Sequence, residues 1–167
     1  MSVAQAVTGT EVEARGGAGE IVKAGVVAGI VGGLLMAMIM MIATAAGGMG
    51  LLAPLRLIAA TFYGKEAMAG GGALTVGLMV HMMNSMVFGV LFAWIAGRRL
   101  AAPQAVMAGV AFGLAIWAVM TFAGLPMLNP MMRERVAVMP VAWFIAHLAF
   151  GMGVGSAPGL RRRFAAI

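Results

Sequence analysis

Charged residues along this chain are sparse and clustered, and the gaps between them predict its architecture. No Asp, Glu, Lys or Arg falls within 24–55, 67–97, 100–132 or 136–160. Each gap exceeds the roughly 20 helical residues that cross ~30 Å of hydrocarbon. Trimmed at Gly and Pro clusters (Gly47-Gly48, Gly70-Gly71-Gly72, Pro103, Pro126, Pro140, Pro158), the gaps predict transmembrane helices near 24–46, 74–97, 103–126 and 137–157. The expected fold class is all-α: an integral membrane four-helix bundle, built as two tandem helical hairpins. Ala43-Thr44-Ala45 has the small residues of a signal cleavage site. The apolar run before it is too long for a signal h-region, so the first span reads as a retained helix.

The segments outside the spans differ in kind. Residues 1–20 are polar and Gly-rich, hold Glu11, Glu13 and Glu20, and cannot bury a core of their own. They read as a flexible N-terminal arm, followed by a transmembrane domain over 21–160 and a basic tail over 161–167. The stretch Pro54–Gly64 starts with Pro and stops at Gly, as a short helix does. Leu55, Leu57, Ile58, Phe62 and Tyr63 beside Arg56 and Lys65 predict an interfacial helix in the first outer loop.

Orientation follows from the basic residues. One side carries Arg15, Lys23, Arg98, Arg99, Arg161, Arg162 and Arg163; the other carries Arg56, Lys65, Arg133 and Arg135. Positive residues favour the cytoplasm, so both termini are expected inside a bacterial inner membrane. Arg98, Arg99, Arg161, Arg162 and Arg163 are expected at lipid headgroups.

Composition agrees with the span pattern. Hydrophobic residues make up 63% of the 167, and only 11 basic and 5 acidic residues accompany them. Mean hydropathy is +1.03. A soluble domain carries about a quarter charged residues, so a globular or disordered chain is excluded. The net charge of +6 would suggest nucleic acid in a soluble protein, but here the basic residues flank apolar runs, and no nucleic-acid partner is expected. Cysteine is absent, which removes thiolate chemistry and cysteine-ligated metals.

Small residues recur on single helix faces. Residues four apart share a face, and the rows read Gly25, Gly29, Gly33, Ala37; Gly77, His81, Ser85, Gly89, Ala93, Gly97; Ala105, Gly109, Gly113; and Trp143, His147, Gly151, Gly155. Such rows let helices approach closely in lipid. They also suggest a duplication. Ala24-Gly25-Val26 with Gly29 matches Ala108-Gly109-Val110 with Gly113, and His81 with Gly89 matches His147 with Gly155.

His81 and His147 are the titratable residues inside the spans, and such residues are functional candidates by default. His81 lies 15 residues after Glu66 and 17 before Arg98; His147 lies 12 after Arg135 and 14 before Arg161. At 1.5 Å per residue both sit near mid-membrane, within roughly 5 Å of one depth. Three readings compete. In one, each imidazole is a neutral hydrogen-bonding group in the packing, with Asn84 and Ser85 nearby. In the second, the pair ligates a b-type haem, although no partner for the propionates lies at that depth. In the third, Met79, Met82, Met83 and Met86 join His81 in a copper site. Against the third, most of these methionines point off the His81 row, and methionine commonly fills apolar gaps. No cofactor is the first expectation and haem b the alternative. Mid-span Trp117 faces lipid or a partner, or fills the core.

No catalytic set stands out: there is no acid–base pair in the spans, no credible Ser–His–Asp set and no phosphate loop. The sequence points to a non-catalytic protein, an accessory or scaffolding subunit of a larger bacterial energy-transducing membrane complex, surrounded by lipid and other subunits. Haem-based electron transfer through His81 and His147 is the alternative, and small-solute or ion transport a weaker one.

The order Pro54-Leu55-Arg56-Leu57, Phe62-Tyr63-Gly64, a Gly-rich turn, then Gly77, His81, Ser85, Gly89 and Phe92-Ala93 resembles a broad group of uncharacterised bacterial four-helix membrane proteins. The likeness extends to Ala146-His147-Leu148, about two-thirds of the chain in all. It implies a bacterial membrane location and four spans, and no chemistry.

Overall fold

A computed structural model describes residues 3–96 and 100–166, with side chains from Gly17 onward. Among these residues all regular structure is helical. Four stretches are long and apolar enough to cross a membrane: Gly17–Ala46, Gly72–Ala96, Ala102–Leu128 and Pro140–Phe164. The first belongs to α1 (Val3–Ala46), whose helical backbone also takes in most of the N-terminal arm. The second is α3 (Gly72–Ala96). The third comprises α4 (Ala102–Val119), a π-helical turn (Met120–Gly124) and α5 (Leu125–Leu128). The fourth joins α7 (Pro140–Val154) to α8 (Ala157–Phe164). Between them lie α2 (Ala53–Tyr63) and α6 (Pro130–Ala137).

Prolines shape these elements more subtly than they do in the sequence reading. Pro126 does not end the third span. It lacks the N–H that an α-helix needs there, and the turn before it widens to a π-helix, so the span continues to Leu128. Pro140 and Pro158 stand in the first turns of α7 and α8, where a missing N–H removes nothing. The fourth span therefore begins at Pro140, three residues later than the charge pattern suggests. The loop helix α2 forms where expected, with Pro54 in its first turn and Gly64 at φ +56° behind it.

The packing order is α3, α1, α7, α4: α1 and α7 form a central pair, and α3 and α4 flank it. Each hairpin closes on the glycine rows. A Cβ on Gly29 would sit 2.8 Å from Met86 Cα, and one on Gly109 would sit 2.8 Å from both the N and the Cα of Gly155. Gly25, Gly33 and Gly89 in the first hairpin and Gly113, Gly151 and Gly155 in the second are equally tight against the partner helix. Gly77 packs against a helix as its row predicts, and that helix is α2: a Cβ at position 77 would run into the Leu55 carbonyl.

The hairpins join through residues outside those rows. Gly153 on α7 lies against the backbone of Gly32 on α1, and Gly32 against the Phe150 carbonyl. Ala24 and Ala28 are fully buried, and Ala28 belongs to a core with Phe92, Phe150, Val154 and Ala157. Toward the end that carries the chain termini, Phe112 on α4 packs on Phe88 and Phe92 of α3, with ring centroids 6.4 and 5.4 Å apart. Toward the loop end α3 and α4 diverge, and α2, α5 and α6 cover the opening.

Arg161 corrects the headgroup expectation. It is buried, and its Nη1 donates to the Ala93 carbonyl at 3.3 Å, tying α8 to the last turn of α3, where a cation complements the helix dipole. Arg162 is exposed and its Nη1 donates to the Leu100 carbonyl; Arg163 is exposed. Arg98 and Arg99 lie outside the described residues.

Candidate functional site

The divergence of α3 from α4 leaves a cavity of about 400 Å³, within the ~300–1,000 Å³ range of small-molecule sites. Both histidines line it. His81, Asn84, Ser85 and Phe88 come from α3, Ile116 from α4, and Trp143, His147 and Phe150 from α7. Thr61 and Phe62 of α2, with Leu125, Leu128, Asn129 and Met132, close the loop end. Met83 and Asn84 are exposed, so the mouth opens to the outside of the bundle beside α3.

The two imidazoles are held differently. His81 Nε2 lies 2.9 Å from the Gly33 carbonyl across the first hairpin. Gly33 permits this approach: a Cβ there would run into Ser85 and lie 3.7 Å from Nε2. In the second hairpin the position equivalent to Gly33 by the repeat is Trp117, whose bulk offers no such opening. His147 instead turns back along its own helix, with Nδ1 2.9 Å from the Trp143 carbonyl. The Trp143 ring packs edge-on to it at 4.2 Å between centroids, and Trp143 Nε1 donates to Thr121 Oγ1 at 2.9 Å. This locks the ring in place, and His147 is 1% exposed.

A carbonyl oxygen only accepts, so the ring nitrogen facing it carries the proton. In the neutral imidazole the other nitrogen is then a bare acceptor: Nδ1 of His81 and Nε2 of His147. Among the described residues neither has a hydrogen-bond partner. Ser85 adds a third acceptor. It is buried, and its hydroxyl proton goes to the His81 carbonyl at 2.8 Å, which leaves its lone pairs free. All four residues expected at a site here line the cavity: His81, His147 and Ser85 each keep an acceptor free, and Asn84 is exposed at the rim.

A bis-histidine haem needs both imidazoles to turn a free nitrogen to one iron. His147 Nε2 is available for that, and an N–H given to a carbonyl is the usual support for a ligating imidazole. His81 gives its Nε2–H to the Gly33 carbonyl in the same way and keeps Nδ1 bare, so each imidazole retains one nitrogen without a carbonyl partner. For copper, Met79 is 66% exposed and lies off the cavity lining, and Met83 is 55% exposed at the mouth. Among the described residues no three His, Asp or Glu side chains gather as a metal site. Trp117 packs its edge on Phe122 and Phe144 at 5.9 and 5.3 Å, and its indole N–H is buried without a partner. It fills the interior rather than facing lipid alone.

Sequence reasoning missed Asn129. It is 4% exposed, its Nδ2 donates to the Leu57 carbonyl at 2.7 Å and to Thr61 Oγ1 at 2.8 Å, and its Oδ1 caps α6 by accepting from Met132 N at 2.9 Å. It fastens the two loop helices together over the cavity. The visible signal was Asn before Pro130, an N-cap followed by a first-turn proline.

No curated protein and no solved structure matches the chain. A family model does, over residues 20–162, which covers nearly all of the four spans and both loop helices. The chain belongs to the family of unknown function DUF6789.

Proposed function

We propose that this protein is a non-catalytic, multi-pass membrane protein that takes a small lipid-soluble molecule from the bilayer into the cavity between its hairpins. The observation that carries this reading is the partly open cavity of about 400 Å³ between α3 and α4, mostly apolar with a few polar side chains in its lining. An organic extract of the purified protein tests it. The wild type should carry one small molecule in near-stoichiometric amount, and Ile116→Trp, which intrudes on the cavity from its lining, should carry less. Equal amounts in both would refute the reading.

The accessory-subunit reading is favoured by the third span. Only 17% of its most apolar window is buried, and Met107, Val119 and Phe122 are 73%, 63% and 74% exposed. A neighbouring subunit of an energy-transducing complex would cover that face. Purification in mild detergent at native expression tests it, and a monomer with no companion protein counts against it.

Four crossings return the chain to its starting side, and the excess of basic residues there supports a cytoplasmic location of both termini in a bacterial inner membrane. A phosphatase reporter that works only outside should be active when fused after residue 70 and silent at the C-terminus. The reverse pattern would overturn the orientation.

A further inference from the structure

The arrangement of donors and acceptors within the cavity narrows its ligand further. His147 Nε2 and His81 Nδ1 are bare acceptors because backbone carbonyls hold the protons on the opposite ring nitrogens. Ser85 Oγ is an acceptor because its proton is given to the His81 carbonyl. Asn129 is saturated by Leu57, Thr61 and Met132. The groups with protons to offer, Asn84 and Thr61, are exposed at the edges. The interior is therefore rich in acceptors and short of donors. Around it stand the rings of Phe88, Trp143 and Phe150, with Phe62 at the loop end, a set that suits a flat aromatic body.

We propose that the cavity selects lipid-soluble aromatic molecules bearing a hydroxyl donor, a hydroquinone or phenol, over the corresponding quinone or ether. This rests on the reading of the cavity as a binding site. The hydroxyl gives its proton to His147 Nε2, the acceptor that is most deeply buried, and the ring lies among the aromatic side chains. A quinone carries only acceptors, so it leaves His147 Nε2 unmatched in an apolar space, and unmatched buried polar atoms are disfavoured. A methyl ether fails for the same reason and adds bulk at the contact. The selectivity comes from the backbone: Trp143 O fixes the His147 tautomer, and Gly33 O fixes that of His81.

The test uses the full chain in lipid nanodiscs, kept under argon, titrated calorimetrically with trimethylhydroquinone, trimethylbenzoquinone and the hydroquinone dimethyl ether. The hydroquinone should bind about tenfold more tightly than either competitor, the effect of one well-made hydrogen bond. In His147→Phe its affinity should fall to that of the ether. Because a core substitution can disturb folding, nitrogen NMR of the wild type gives a second measurement: the His147 Nε2 resonance should shift with hydroquinone and not with the ether. Equal or tighter binding of quinone or ether overturns the donor rule and leaves the binding cavity standing. Failure of all three probes, with a small molecule present in the organic extract, overturns this ligand class alone. Failure of all three with an empty extract overturns the binding reading as well.

Discussion

Replacing Gly89 by valine is expected to destroy the first hairpin. A Cβ at position 89 would lie 2.7 Å from both the N and the Cα of Gly29 and would run into the Gly25 carbonyl. These are backbone atoms of a packed helix, so no rotamer change relieves the overlap. α1 and α3 must separate along the whole contact that Gly25, Gly29 and Gly33 make with Ser85, Met86 and Gly89. Separation removes the dispersion contacts that hold helices together in lipid and breaks the His81–Gly33 bond. Overpacking in a core typically costs ~1–3 kcal/mol when side chains can yield, and here they cannot. A loss of more than ~3 kcal/mol is expected, enough to leave little folded protein. Gly19→Ala is the matched control: nothing lies within 4 Å of its added methyl, and it stands within α1. That change should stabilise by up to ~1 kcal/mol, since glycine is a poor helix former. Thermal melting of both variants in one detergent decides it, and a Gly89→Val melt within a few degrees of the wild type would sink the expectation.

The contrast between these two glycines marks how far the sequence could be read. The four spans were legible because a charge cannot stand in hydrocarbon without heavy penalty, so gaps between charges trace the membrane directly. The intrahairpin contacts were legible because glycines four apart leave a flat face. What joins the hairpins was hidden, because Gly32 and Gly153 sit off those rows. On a helix, residues one or two positions away point elsewhere, so Gly32-Gly33 and Gly151-x-Gly153-x-Gly155 each serve two neighbours. The adjacent and alternating glycines were the signal. The histidines were identified by type and depth, and both do line one cavity. Their different tautomers depend on what faces them, a glycine carbonyl for His81 and the Trp143 carbonyl for His147. No residue type encodes that. Arg161 shows the same limit: three arginines in a row read alike, yet one is buried on the end of α3.

Asn129 is the residue whose loss should do most damage outside the glycine contacts, and with a separable signature. Its amide bonds to Leu57 and Thr61 bridge α2 to α6, and its Oδ1 satisfies the first-turn N–H of Met132. Asn129→Ala removes all three bonds from a buried position. The cap alone accounts for ~1 kcal/mol, and each bridging bond for about as much, so a loss of ~2–4 kcal/mol is expected. It should be local. The glycine contacts of the hairpins lie elsewhere, so amides of α1 and α3 near Gly29 and Gly89 should keep their protection, while those of 53–63 and 130–137 exchange faster. Asn129→Asp separates the two roles. A carboxylate still caps Met132 N, but it has no proton for the Leu57 carbonyl and sets a negative charge against it. Exchange should then rise in α2 while α6 stays protected. Because α2 and α6 close the cavity at its loop end, either variant should also release a bound molecule faster than the wild type does. Exchange unchanged in both helices for both variants would mean that the bridge holds nothing. The cover would then rest on the apolar contacts of Met131 with Ala59, Ala60, Ala67 and Ala73.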